Sequence, residues 1–162
     1  MIQNNLLKLD LTKYIFDPSK YKTPTLHETW KWEGDETVLP YKWVNLIKMS
    51  NLFENKNQTF HFETVKSYLK ENYYGSNNFD KSSFFFITYR SEVTGCAYLD
   101  KNSGKIDYFL VNKKHFGKGI ENGLFSLIYK RAKEIELQTI YINMDLTNIN
   151  EDFFYEIGFE KE

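Results

Sequence analysis

Ile106-Asp-Tyr-Phe-Leu-Val-Asn-Lys-Lys-His-Phe-Gly-Lys-Gly119 is the stretch whose reading decides the fold. Its first half is an apolar run of strand length, rich in β-branched and aromatic residues. Its second half is basic and carries two glycines just before a helical pattern. The first amides of a helix have no partner inside the helix, and the macrodipole adds partial positive charge at the same end. Gly117 and Gly119 remove side chains that would block close approach, and Lys113, Lys114 and Lys118 add charge. A phosphate or pyrophosphate is the guest such a loop suits. The spacing excludes a six-residue Gly-x-Gly-x-x-Gly dinucleotide fingerprint, because Gly123 falls one residue late. It excludes a Walker A loop too, because Gly119 follows Gly117-Lys118 where Ser or Thr is required.

Working upstream, residues 83–89 and 93–99 read as two further strands. Together with 105–111 they form an antiparallel meander with turns at Arg90-Ser-Glu and at Asp100 to Gly104. Downstream, a helix is expected from about Gly117 to Ile135, with Leu124, Phe125, Ile128, Ala132 and Ile135 on one face. A strand follows over 139–144, so this strand and 105–111 should pair in parallel across a helical crossover. Asn148 is placed to cap a short helix with Glu151 as reciprocal partner, and Gly158 stops it. In the first half, Pro40 suits a helix start, with Trp43, Leu46, Ile47 and Leu52 or Phe53 as its apolar face. A second helix fits 60–73, closed by Gly75. Thr29-Trp-Lys-Trp-Glu alternates like a strand, whereas residues 6–16 show no clean period. The architecture is α+β: a mixed, mostly antiparallel sheet with helices on both faces.

With these parts in order, the chain resembles the GNAT family of N-acetyltransferases. Lys114-His115-Phe116-Gly117-Lys118-Gly119 is similar to the family's acyl-CoA loop, Gln/Arg-x-x-Gly-x-Gly/Ala, with Lys in place of Gln or Arg. The run 106–111 is similar to the family's fourth strand, which the central helix follows. Asn148 through Phe153-Phe-Tyr-Glu-Ile-Gly-Phe159 resembles its closing Asn…Phe-Tyr-x-x-x-Gly-Phe segment. The likeness covers residues 83–159 and reads 1–162 as a single domain with an atypical N-terminal segment, 1–38.

The resemblance implies acetyl-CoA or a related acyl-CoA as donor and a small-molecule or peptide amine as acceptor. Backbone amides of Phe116, Gly117, Lys118, Gly119 and Ile120 would hold the pyrophosphate, flanked by Lys114. Backbone at Leu110 and Val111 would pair with the pantetheine arm, and Asn148 stands where the family has a CoA-contacting Asn. A tyrosine of the last helix often protonates the sulfur. Counted back from Gly158-Phe159 that position is Phe154, and Tyr155, one residue later, takes the assignment. The family's glutamate on the fourth strand aligns with Lys105, which leaves Asp107 on the same face as base, or as a solvated carboxylate. Two further strands normally follow the Gly-Phe, and this sequence ends at Glu162. Either the N-terminal segment supplies replacements or a partner chain covers the exposed edge, as in a homodimer. The Lys105 and Phe154 departures keep a second reading open, a non-catalytic acyl-CoA-binding protein. A nucleotide- or phosphate-binding module ranks third.

Composition narrows the field further. The 162 residues carry 21 Lys plus Arg against 22 Asp plus Glu, a balance that makes no global case for nucleic acid or membrane. No apolar run approaches membrane-spanning length, and the N-terminus lacks a signal-peptide pattern, so a cytoplasmic protein is expected. The single cysteine, Cys96, excludes an intramolecular disulfide and reads as a small buried hydrophobe. His27, His61 and His115 are scattered, so no metal site is expected and His115 reads as a surface residue. The richness in Lys, Asn, Ile, Phe and Tyr fits an AT-rich bacterial genome. Trp30, Trp32 and Trp43 read as core, with one of them open to a pocket role.

Overall fold

A computed structural model describes residues 5–31, 38–52 and 60–162. Expected features at Trp32, Phe53 and the extreme N-terminus lie outside the described residues. The elements in chain order are β1 (Leu6–Asp10), β2 (Glu28–Trp30), α1 (Val38–Met49), α2 (Phe62–Leu69), β3 (Phe84–Tyr89), β4 (Glu92–Leu99), β5 (Lys105–Val111), α3 (Ile120–Glu134), β6 (Thr139–Asn143), α4 (Glu151–Ile157) and β7 (Glu160–Lys161). The strands form one 7-stranded sheet in the order β2-β3-β4-β5-β6-β1-β7. Every pairing is antiparallel except β5 with β6, the parallel pair that the crossover through α3 produces.

Two cores follow from strand alternation. Phe84, Phe86, Cys96, Tyr98, Tyr108 and Leu110 face α1 and α2, where Leu39, Trp43, Leu46 and Ile47 form the facing stripe at helical spacing. Ala97, Leu99, Ile106, Phe109 and Val111 face α3 and α4 on the opposite side, against Ile120, Leu124, Phe125, Ile128 and Phe154. Each large side chain buried in this way contributes about 1.5–3 kcal/mol. Trp43 is a core residue, fully buried against Phe84, and Cys96 is equally buried.

Three departures from the sequence reading bear on the N-terminal strand, the second helix and the last helix. Residues 6–10, which show no clean period, are a strand. Leu7, Leu9 and Leu11 do alternate inward, but Leu6 masks the pattern. This strand lies between β6 and β7, so the N-terminal segment supplies a replacement strand. From there the chain runs over α3, where Phe16 stacks on Tyr129 at 4.4 Å and Tyr21 meets Phe125 edge-on at 4.9 Å. The second helix is not one α-helix to residue 73. α2 ends at Leu69, and Lys70–Tyr74 form a π-turn. Finally, the cap of α4 is Asn150, whose side chain accepts the Asp152 amide at 2.9 Å, and not Asn148. Asn148 is held elsewhere.

Candidate active site

The site begins where β5 parts from β6. Their pairing covers only Lys105↔Tyr141 and Ile106↔Ile142. Next to that point β5 carries one residue more than β4, because Tyr98 pairs with Asp107 and Cys96 with Leu110. This is a β-bulge, and Tyr108 adopts φ 54° within it. A left-handed conformation at a non-glycine residue costs about 1–2 kcal/mol and persists only where surrounding structure enforces it. Here Tyr108 is clamped edge-on to Trp43 at 5.5 Å and to Tyr73 at 5.3 Å. The bulge lies beside the point where β5 leaves β6, and Asp107 next to it meets Tyr73 of the π-turn after α2.

Asp107 is half-buried. Its Oδ2 accepts the Tyr73 hydroxyl at 3.1 Å, and its Oδ1 accepts the Asn143 side-chain amide at 3.4 Å. The Asn143 Oδ1 accepts the Asp145 N–H at 3.1 Å, which leaves the NH2 group aimed at Asp107. Burial pushes the Asp107 carboxyl above the usual carboxylate range, although both hydrogen bonds oppose the shift. A raised carboxylate is a better proton acceptor than an ordinary one. Sequence spacing gives Tyr73 only as the last apolar position of a helix. Its pairing with Asp107, and that of Asn143, joins positions too far apart for any local pattern to show.

Beyond the bulge, side chains replace the missing strand partner. Thr147 Oγ1 donates to Phe109 O at 2.6 Å. Asn148 accepts the Val111 N–H at 3.0 Å and donates to the Val111 carbonyl at 2.6 Å, and its Nδ2 also lies 3.1 Å from Ser50 O. Asn148 therefore mimics one residue of a neighbouring strand, at the backbone of Val111. The backbone of Leu110 is paired on the other side, with Cys96 of β4.

The glycine loop continues from Val111. Asn112, 3% exposed, caps a single 3-10 turn, Lys113–His115, by accepting the Lys114 amide. α3 consequently opens at Ile120, later than the sequence suggests. Gly117 and Gly119 both adopt φ 81°. An added Cβ at Gly117 would meet nothing within 4 Å, so that glycine serves backbone conformation and leaves open space before the loop. The Phe116 amide bonds Lys113 O, while those of Gly117, Lys118 and Gly119 have no acceptor among the described residues. Amides arranged in this way at the start of a 15-residue helix fit an anion such as a pyrophosphate.

The loop's side chains are not all free for that anion. Lys113 Nζ donates to Asn51 at 3.2 Å, and Lys118 Nζ sits 3.3 Å from Nδ1 of His115. His115 is buried, not a surface residue: its Nε2 lies 3.6 Å from Glu92, and its ring is 6.4 Å from that of His27. Lys114 stays exposed and lines a cleft of about 390 Å3 with Lys42, Lys48 and Asn112. Phe116 is half exposed and Ile120 is fully buried. Phe154 packs edge-on to Phe109 in the core, and the hydroxyl of Tyr155 turns to Glu151 at 3.4 Å on the exposed face of α4. The structure thus brings Asp107, Tyr73 and Asn143 together and leaves Tyr155 outside that cluster. Among the described residues no His, Cys, Asp and Glu cluster could hold a metal ion, and no helix is long and apolar enough to cross a membrane.

A family model for the GNAT acetyltransferase domain matches residues 48–162, most of the chain. The chain belongs to the GNAT family. Solved structures agree on the fold. A GCN5-related N-acetyltransferase from Sphaerobacter thermophilus superposes with a TM-score of 0.67 at 12% identity, covering 97% of this chain and 47% of its own. The chain thus spans about half the length of that relative. A glucosamine N-acetyltransferase region of a fungal multi-domain β-N-acetylglucosaminidase gives 0.58 at 13% identity, over 98% of this chain and 20% of that one. An acetyltransferase from Streptococcus agalactiae gives 0.50 at 20% identity, over 69% of each. No curated protein matches the sequence. As a GNAT domain the chain carries a fold built for acyl transfer, and GNAT domains use acetyl-CoA as donor.

Proposed function

We propose that this GNAT protein transfers an acetyl or similar acyl group from acyl-CoA to the primary amine of a small molecule or peptide. One observation carries the reading. Free amides at Gly117 to Gly119 lie one short turn beyond the end of β5, and the buried, hydrogen-bonded carboxylate of Asp107 lies on the same strand beside the point where it has left β6. The stretch from Asp107 to Val111 contains the bulge at Tyr108 and ends where the loop begins. A thioester whose diphosphate rests on the loop would therefore run along β5 towards Asp107. Asn148 keeps the Val111 N–H and C=O paired until the pantetheine amide takes them over.

In the reaction, Asp107 takes a proton from the acceptor's ammonium group. The freed amine attacks the thioester carbonyl, the new C–N bond forms and the C–S bond breaks. The thiolate leaves and is protonated by solvent or a nearby acid. Positioning of the two reactants supplies much of the rate. The burial of Phe154 and the outward turn of Tyr155 favour a second reading, in which the chain binds acyl-CoA without turnover.

Both readings predict stabilisation by acetyl-CoA, about 2.7 kcal/mol at a hundredfold excess over Kd and several degrees in Tm. ATP and NAD should give no shift. Release of CoA thiol in the presence of an amine panel separates the two readings. A folded protein that acetyl-CoA does not stabilise would remove both.

A further inference from the structure

We propose that Tyr73, carried by the π-turn at the end of α2 and locked there by Gly75, is the positioning residue for Asp107. The proposal rests on the reading of Asp107 as the proton acceptor. Both carboxylate oxygens are held, one from each side of the split: Tyr73 reaches Oδ2 from the helical layer, and Asn143 reaches Oδ1 from β6. The phenol ring has little freedom of its own, with Trp43 at 5.4 Å, Tyr108 at 5.3 Å and Tyr98 at 5.8 Å, all steeply inclined to it.

The backbone that delivers Tyr73 is unusual. The π-turn Lys70–Tyr74 closes with the Gly75 N–H bonded to Lys70 O at 2.9 Å, five residues back. Insertions of this kind are rare in helices and concentrate at functional positions. The extra residue rotates the chain beyond it by about 100° relative to an α-helical continuation. Gly75 has an ordinary φ of −94°, so it is not needed for conformation. An added Cβ there would stand 2.5 Å from Lys70 O, the acceptor of the closing bond. A residue that reads as a simple helix stop therefore holds the turn that aims Tyr73.

Tyr73 acts on Asp107 through charge. A donor to the carboxylate favours its ionised form and offsets burial. Burial and the neighbouring Asp107 charge push the Tyr73 hydroxyl well above the usual phenol range, so it remains a donor throughout any working pH. The other groups bearing on Asp107 are Asn143 of β6, Lys105 and Tyr108 of β5, and Tyr98 and Asp100 at the end of β4.

Two variants and two readouts test this. Tyr73→Phe keeps the ring and removes the donor, while Gly75→Ala keeps the donor and disturbs its placement. The carboxyl of Asp107 is followed by 13C NMR titration in the full-length chain without ligand, assigned by its loss in Asp107→Asn. The pH dependence of kcat/KM is followed with acetyl-CoA and an accepted amine. Tyr73→Phe should raise the Asp107 midpoint by about one pH unit or more, the effect of losing one hydrogen bond to a charged group. The acid limb of kcat/KM should move up by the same amount, with recovery at high pH and an unchanged KM for acetyl-CoA. Gly75→Ala should shift both the same way. A Tyr73→Phe carboxyl titration that overlays the wild type overturns the proposal whether or not the protein turns over any amine. A wild type without turnover overturns the acyltransferase reading and leaves the titration to judge Tyr73.

Discussion

The two halves of the candidate site are made differently. The loop 112–120 is contiguous: its candidate ligand groups are backbone amides, its geometry comes from two glycines at φ 81° and an asparagine cap, and its position follows from the strand before it and the helix after it. The Asp107 cluster is assembled from α2's π-turn, the β5 bulge and the end of β6, and all of its working groups are side chains. A contiguous backbone site tolerates changes in side chains and fails through backbone strain. An assembled site fails through a single side chain, or through the turn or bulge that aims one.

That contrast can be broken experimentally, beginning with the largest effect. Asp107→Asn should lower kcat/KM by a hundredfold or more, roughly the contribution of a general base, and leave acetyl-CoA binding intact. Equal losses in binding would mean the two halves are not separable. Gly117→Ala and Gly119→Ala should do the reverse. Each forces a left-handed residue costing about 1–2 kcal/mol, which should weaken acetyl-CoA binding by about tenfold with kcat at saturation little changed. Asn148→Ala should lower stability by about 1–3 kcal/mol, since it leaves the Val111 N–H and C=O without their partner, as denaturant melts would show.

A smaller effect concerns pH. Because burial holds the Asp107 carboxyl above the ordinary range, the folded chain retains a proton that the unfolded chain has lost, and stability falls as pH rises through that window. Asp107→Asn lacks this group, so its Tm relative to wild type should climb from about pH 4 upwards and level off above the folded midpoint. The smallest change is expected from Tyr155→Phe, whose hydroxyl contacts only an exposed glutamate. Less than a threefold drop in kcat, roughly 0.6 kcal/mol, fits that placement, and a hundredfold drop would put the sulfur's proton donor in α4.

Legibility divides along the same line. The meander is readable because each strand alternates between two cores, and the loop is readable because its physics is local. Phe84, Phe86, Cys96 and Tyr98 announce their faces, and Gly117 and Gly119 announce a turn before a helix. The choice between Asn148 and Asn150 as helix cap is not readable. Either can cap, and the decision is made by unpaired groups on Val111, distant in sequence. His115 is buried for a similar reason, since Glu92 and Tyr89 arrive from the β3–β4 hairpin to cover it. The bulge at Tyr108 leaves no mark in an apolar run, yet it turns a strand carboxylate into a candidate base.

The placement of β1 has a consequence for synthesis. Leu6 pairs with Asn143 and Asp10 with Thr139, so β1 docks on a strand made about 130 residues later. At 5–20 residues per second that interval is on the order of ten seconds or more. Throughout it, Leu7, Leu9 and Leu11 have no sheet to enter. The nascent chain therefore carries an unpaired apolar strand until β6 has been made, and the element that completes the fold waits longest for its partner.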